Sequence, residues 1–540
     1  MREEIFFDRN AYLQILQKHF NDLVLGYRQN LAFVGNELIG KTSLILKFLN
    51  EFHDERILPI YICAKKEELY FFAERFINNM LCAFLNTKGI EVKEEREYLL
   101  NRAEEFIPKT AKRIRELKAT IKRKKETLFM ELLSIVELLN KETDKFTVVI
   151  LDEFHILEEL GIKNLYRDWA KILVLQPSTM FVVISSSCFK TKRILGDNLN
   201  LLFGKFELFE VEPFDYQTSK EFLQDRLNGL VLEDKTLDFL VGLSSGVPFY
   251  LKMFSDSIYK IKSQNLLDTH IDKESVIFAL LELLFDETGA LNRHFHGYLN
   301  RFLELGIPPE AIRILYSISK GYNRLKDMIE TLSYMQKKYI NKMLHQMLQE
   351  DIISKNGDFY KVNDRLFGLW LKFVYQKKTD LHNFNFYGQR DKFKEELEKL
   401  YQEFVSDASK KPLDKLIEIM HLFENDYADI DNRKLKLVNF REIKPLFFSF
   451  PSINEGLLAR ANNYLWIIAL NYHSLKEADI VEFVKECKKY KEKKQRKIIV
   501  TFQPLDINTQ LRAKEEKIIT WDIKSVNLLC ELFNRPGIII

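Results

Sequence analysis

At 540 residues the chain exceeds what one hydrophobic core usually supports, so two to four domains are expected. Its net charge is only +3, which excludes a global basic field, and any nucleic-acid affinity must come from local patches. No apolar run reaches the roughly 20 residues of a spanning helix, the five scattered cysteines form no CxxC pair, and "MREEIFFDRN" has the features of neither a signal nor a transit peptide, so a cytoplasmic protein with no membrane partner is expected.

In chain order, "LAFVG" (31–35) is a short apolar run ending in Gly, and "TSLILKFLNEF" after the Gly-Lys has helical spacing: strand, loop, helix. The loop "GNELIGKT" (35–42) fits the pattern GxxxxGK[ST] completely. Backbone N–H groups at the start of such a helix can cradle phosphates, and the bare Gly35 and Gly40 are expected to let the backbone approach them closely. The expected nucleotide contacts are Gly35, Asn36, Glu37, Leu38, Ile39, Gly40, Lys41, Thr42 and Ser43. Lys41 would reach the β- and γ-phosphates and Thr42 would ligate magnesium, making ATP and Mg2+ the expected ligands.

A second buried strand is expected over "ILPIYICA" (57–64), then a helix from about Glu67 to Leu85. The run "AKRIRELKATIKRKK" (111–125) holds eight Lys or Arg against one Glu and is read as a solvated helix face in preference to a nucleic-acid contact. Two further buried strands, "FTVVILD" (146–152) and "MFVVISSS" (180–187), complete four apolar runs alternating with helices, which implies an α/β fold with a mostly parallel sheet covered on both faces. Asp152 and Glu153 stand where the third run emerges, about 110 residues after the phosphate loop. An acid there can hold the magnesium shell, and a second can polarise the attacking water. The fourth run ends in serines that can face the γ-phosphate; Ser186 is the first choice, with Ser185 and Ser187 close alternatives.

After "FELFEVEPFD" (206–215) the pattern is helical to about residue 305, broken by "SSGVPF" (244–249). The order "FFDRNAYL", "GNELIGKTSL", "ILDEFHIL", "VVISSS", "LLFGKFELFEVEPFD" and "LSSGVPFYL" resembles the archaeal-type P-loop ATPases, in the signal-transduction branch of the AAA+-like proteins. The resemblance covers about residues 5 to 375. It implies an ATPase core with a helical lid, a winged helix and often a nuclease-like C-terminal domain, and it places Pro248 of "GVP" near the nucleotide base. Two departures stand out: Arg9-Asn10-Ala11 where the family has Arg followed closely by an acid, and Gly204-Lys205 where it has Gly-Arg. Lys cannot grip a phosphate bidentately as Arg can, so Lys205 is a catalytic candidate of reduced power and turnover is expected to be slow. Arg193 is a substitute candidate whose simpler reading is a solvated cation.

Residues 307–375 read as three short helices and a hairpin turning at Asn356-Gly357, a winged-helix pattern. In its third helix Ile340, Met343, Leu344, Met347 and Leu348 share one face, leaving Lys337, Lys338, Lys342 and His345 for others. Duplex DNA through Lys337, Lys338 and Lys342, joined by Lys355 and Lys361 on the wing, is weighed evenly against a packing role with a protein partner or a second copy of the chain. A polar linker then leads to a region resembling restriction-endonuclease-like domains, with strands over "YLWIIALNY" (464–472) and "RKIIVTF" (496–502). Such nucleases present an acid and then Glu-x-Lys. Here Ala469 and Asn471 take the latter two positions, and Gly456 or Glu455 the first, so an inactive relative is expected. The expected domains are 1–215 ATPase core, 216–305 lid, 306–375 winged helix, 376–390 linker and 391–540 nuclease-like. The expected function is a nucleotide-dependent switch that repositions the later domains, with a protein scaffold free of DNA contact, or an ATP-coupled nuclease, as alternatives.

Overall fold

The computed structural model describes residues 6–90, 96–121, 126–199, 205–262, 269–375, 386–450, 452–462, 464–490 and 494–537. The chain divides into two units. The first comprises Met1–Asp225, Gly246–Lys252 and Gln349–Asp351, and the second Arg226–Ser245, Met253–Leu348 and Ile352–Ile540.

In the first unit the elements are α1 (Asn10–Val24), β1 (Asn30–Val34), α2 (Lys41–Glu51), β2 (Ile57–Cys63), α3 (Leu69–Asn86), α4 (Arg96–Glu104), α5 (Pro108–Thr120), α6 (Leu128–Thr143), β3 (Phe146–Asp152), α7 (Leu165–Leu175), β4 (Thr179–Ser185), α8 (Cys188–Arg193) and β5 (Phe206–Glu210), followed by α9 (Tyr216–Leu227). The strands form one sheet in the order β2-β3-β4-β1-β5, with every pairing parallel. Strands β1, β3 and β4 are continuous Val, Ile, Leu and Phe runs because both their faces are covered. On one face Leu16, Phe20, Leu44, Ile45 and Phe48 of α1 and α2 pack against Leu31, Phe33, Ile150 and Ile184. On the other, Phe72, Phe76, Phe129 and Trp169 of α3, α6 and α7 pack against Val149, Leu151, Phe181 and Val183. The sheet has five strands where apolar runs suggested four. The edge strand β5, "FELFE", alternates and leaves Leu208 exposed, so it forms no continuous apolar run. In the basic run, Arg113 pairs with Glu116 and Glu131, and Arg115 with Glu104. Lys122–Lys125 lie outside the described residues.

The second unit continues with β6 (Val231–Leu232), α10 (Asp234–Ser244), α11 (Pro248–Lys262, whose first residues belong to the first unit), β7 (His270–Ile271), α12 (Lys273–Leu284), α13 (Ala290–Glu304), α14 (Ile312–Ser319), α15 (Leu325–Thr331), α16 (Lys337–Gln349), β8 (Ile353–Asn356), β9 (Phe359–Val362) and α17 (Arg365–Trp370). As the pattern suggested, β8 and β9 form an antiparallel hairpin, and Gly357 takes the left-handed conformation at φ +59°. Helix α16 buries Ile340, Met343, Leu344 and Met347 and leaves Lys337, Lys338, Lys342 and His345 exposed. Trp370 is fully buried and its indole N–H donates to Asn292 Oδ1 at 3.0 Å. Most of the expected linker, residues 376–385, lies outside the described residues.

Then come α18 (Phe386–Ala408), α19 (Pro412–Met420), β10 (Asp426–Ile430), β11 (Arg433–Leu437), β12 (Glu442–Phe450), β13 (Ile453–Arg460), β14 (Leu465–Asn471), α20 (Glu477–Cys487), β15 (Gln495–Thr501), α21 (Ile507–Glu515), β16 (Ile518–Trp521) and α22 (Ile523–Leu532). Strands β12 to β16 form a mixed sheet in sequential order, antiparallel through β14 and parallel beyond. The tip of the β8–β9 hairpin is tied to β10. Asn356 Nδ2 donates to the Asp429 carbonyl at 2.9 Å, the Asp429 N–H returns a bond to Asn356 Oδ1 at 2.7 Å, and the Asp358 N–H donates to the Tyr427 carbonyl at 2.9 Å. Only glycine fits at 357, since a Cβ there would lie 2.1 Å from the Tyr427 carbonyl oxygen. Among the described residues no helix is long and apolar enough to cross a membrane.

Candidate nucleotide site

The site forms at the carboxyl ends of β1, β3 and β4, where a parallel sheet opens a crevice between its strands and the following helices. Strand β1 ends at Val34, and the loop 35–40 leads directly into α2. Leu38 and Gly40 take left-handed conformations, φ +66° and +89°. The two glycines serve different needs. Gly40 has open space beside its Cα and is required by its φ, whereas a Cβ at Gly35 would lie 2.4 Å from both Ile39 Cδ1 and the Val211 carbonyl oxygen. Gly35 is therefore fixed by packing of the loop onto the chain after β5, and not by phosphate approach alone as the sequence suggested.

Lys41 is 5% exposed, and its ammonium donates to the carbonyls of Gly35 at 2.8 Å and Asn36 at 2.6 Å. Burial lowers its pKa, opposed by the charges of Glu153 and Asp152. A buried cation whose partners are mostly neutral carbonyls is a strong site for an anion. Asn36 and Ser43 are exposed on the outer side of the loop and helix.

Opposite, Asp152 at the end of β3 is 1% exposed and held by three donors. Thr42 Oγ1 and Tyr61 Oη donate to its Oδ2 at 2.7 and 2.6 Å, and the Glu153 N–H donates to Oδ1 at 2.9 Å. A hydroxyl and a carboxylate facing each other at a helix N-terminus form the hard oxygen set that magnesium takes, so these residues fit the ion.

Glu153 has φ +51°, which turns its side chain back toward β4. Its Oε2 accepts from Ser186 Oγ at 2.7 Å and Ser186 N–H at 3.2 Å, with His155 Nδ1 at 3.4 Å. Burial pushes its pKa up; the Ser186 bond works against that and the Asp152 charge adds to it. The three serines thus part company. Ser186 meets Glu153, Ser185 Oγ meets His155 Nδ1 at 2.9 Å, and Ser187 Oγ donates to Asp351 Oδ2 at 2.6 Å. Asp351 also accepts from the Phe189 N–H, and Glu350 pairs with Lys190 at 2.8 Å.

Gly246 (φ +72°) accepts a bond from the Phe214 N–H at 2.9 Å, and a Cβ there would lie 2.1 Å from the Phe214 carbonyl oxygen. This fixes the turn that starts α11 at Pro248. Phe214 lies in an aromatic group with Phe7 and Phe222, and the Arg9 guanidinium sits 4.9 Å from its ring centroid. Arg9 is itself buried and donates to the Ile39 carbonyl at 3.3 Å. The residue read from sequence only as part of a departure therefore touches the phosphate loop.

Lys205 requires correction. It precedes β5, whose first residue Phe206 pairs with Asn30 at the start of β1. A five-residue strand at about 3.3 Å per residue separates it from the carboxyl ends where Asp152 and Ser185 stand. Within this chain it is not part of the phosphate site. Arg193, at the end of α8, donates from Nη2 to both carboxylate oxygens of Glu158, at 2.8 and 2.6 Å, so it is an ion-paired helix residue and not the solvated loop cation of its simpler reading. Tyr61, His155 and Asp351 escaped sequence reasoning: the β2–β3 register and a contact spanning 164 residues have no local signature.

Residues 6–254 match the model of an ATPase domain predominantly from Archaea. No curated protein matches the sequence. Among solved structures, the chain is similar to a Walker-type ATPase of Pyrococcus abyssi at 19% identity and a TM-score of 0.50, covering 69% of this chain and 97% of that one. It also matches the Aeropyrum pernix ORC2 protein at 11% identity and a TM-score of 0.42, covering 74% and 98%.

Proposed function

We propose, from the match of residues 6–254 to the model of an ATPase domain predominantly from Archaea, that the protein is an ATP-hydrolysing switch, in which the state of the nucleotide between the 35–42 loop and Asp152 is relayed to the winged-helix segment, residues 306–375. Thr42 and Asp152 would hold magnesium, whose charge would offset that of the phosphates. Lys41 exchanges its loop carbonyls for phosphate oxygens. Glu153, held by Ser186, orients the attacking water and accepts its proton; the raised pKa suits a base that must bind and release a proton. The aromatic group around Phe214, with Arg9 and Pro248, flanks the base.

One observation carries the switch: Ser186 grips Glu153 while the adjacent Ser187 donates to Asp351, two residues beyond the last turn of α16. Helix α16 also bears the exposed Lys337, Lys338 and Lys342, none paired with an acid among the described residues, which supports duplex DNA as the target. A second reading, a nucleotide-dependent scaffold without DNA contact, draws support from the hairpin. Its tip is occupied by β10, and Lys361 is paired with Glu531 at 2.9 Å. A salt-titrated gel shift on duplex DNA, with Lys337, Lys338 and Lys342 changed together to Ala, separates the two. Binding that weakens on substitution supports DNA; no shift at low salt supports the scaffold.

The C-terminal region, 391–540, is proposed as an inactive nuclease relative. Ala469 is buried mid-strand opposite Gly456, Glu455 accepts from Tyr472 Oη at 2.6 Å, and Asn471 Nδ2 donates to the Ser452 carbonyl at 2.7 Å. Among the described residues no group of three or more His, Cys, Asp or Glu could hold a metal ion.

A further inference from the structure

The hydroxyl of Tyr61 is a contact that the ATPase motifs do not include. Strand β2 lies beside β3 in parallel register, with Tyr61 opposite Ile150 and Cys63 opposite Asp152. Side chains alternate along a strand, so Tyr61, Ile150 and Asp152 share a face, and the tyrosine ring spans the step to the carboxylate. The strand is pinned behind it, because Asn79 Nδ2 donates to the Tyr61 carbonyl at 2.9 Å. The ring packs among the apolar side chains beneath α1 and α2.

We propose that Tyr61 is a positioning residue for the metal-side carboxylate: with Thr42 it saturates Oδ2 of Asp152 and so fixes the orientation in which Oδ1 meets the hydration shell of the magnesium ion. The inference rests on the magnesium–ATP reading of the site. Oδ2 receives two donors, from α2 and from β2, while among the described residues Oδ1 receives only the Glu153 N–H, which leaves it acceptor capacity. Without the phenol, Thr42 alone would orient Oδ2 while its own oxygen is also required by the metal. Partners that orient a metal-side ligand in this way are worth about 10–100-fold in metal affinity.

The test uses the full chain and the variant Tyr61→Phe, which keeps the ring and removes only the donor. A fluorescent ATP analogue is titrated with magnesium and again with chelator, and the ratio of the two Kd values is taken for each protein. The expected result is a wild-type ratio that favours magnesium and falls by about tenfold in Tyr61→Phe, whereas nucleotide affinity in chelator is unchanged. A purely structural role for Tyr61 would weaken both titrations alike and leave the ratio intact. An unchanged ratio in Tyr61→Phe overturns the role of Tyr61 and leaves the site reading standing. If wild type itself shows no preference for magnesium, the site reading fails and the inference fails with it.

Discussion

Glu153 carries the heaviest burden of any single residue, because it is half-buried beside a second carboxylate and, on the hydrolytic reading, must ionise to act. Its raised pKa means that turnover falls on acidification with an inflection above the ordinary glutamate value of 4.5. A pH–rate profile checks this, and an inflection at or below that value contradicts it. The same burial has a stability consequence. A carboxyl whose folded pKa is raised contributes its stability fully below the unfolded value and loses it as pH rises through the folded one. Glu153→Gln should therefore raise Tm at neutral pH by about 2 °C, and the gain should vanish below about pH 4. Thermal denaturation at both pH values measures it. Lys41→Ala should abolish nucleotide binding, since no other described cation donates to the loop carbonyls of both Gly35 and Asn36. Titration with a fluorescent ATP analogue reads that directly. At this scale the sequence was informative where chemistry is local: Lys41, Thr42, Asp152 and Glu153 are consecutive in two short motifs. It was silent on Tyr61 and Arg9, whose partners are set by strand register and chain reversal.

At the scale of elements, the short path from β4 into α8 is the part of the site that has two neighbours. Ser186 faces Glu153, and Ser187 and Phe189 face Asp351. Burial also raises the pKa of Asp351, offset by its bonds to Ser187 and Phe189, so its charge is stabilised chiefly by those two donors. On the switch reading, hydrogen exchange across residues 337–351 differs between ATP- and ADP-bound protein, and Asp351→Asn erases the difference. Equal exchange in both nucleotide states of wild type contradicts the relay. Elements were legible where their pattern was strong. Strands β1 to β4 stand as apolar runs, and the β8–β9 hairpin announces itself by Asn356-Gly357. The edge strand β5 was legible only through the family resemblance, and the antiparallel β12 was not found, because half-exposed strands interleave polar residues with the apolar ones.

For the whole molecule, the chain joins an ATPase core to a C-terminal mixed sheet, β12 to β16, which we read as a nuclease relative without its acids. Buried alanine at 469 cannot ligate a metal, and Asn471 spends its amide on the Ser452 carbonyl. Purified protein is therefore expected to leave duplex DNA intact in magnesium or manganese. Cleavage lost on substitution within 391–540 contradicts that reading. On the proposed reading, energy from the nucleotide goes into rearrangement and not into a cut made by the same chain.

The central claim is that Glu153 hydrolyses ATP held by Lys41, Thr42 and Asp152. Steady-state phosphate release by wild type and Glu153→Gln, each shown to bind ATP equally, tests it most directly. The account predicts slow turnover by wild type and a loss of about a hundredfold or more in the variant. Equal turnover by the two proteins would contradict it.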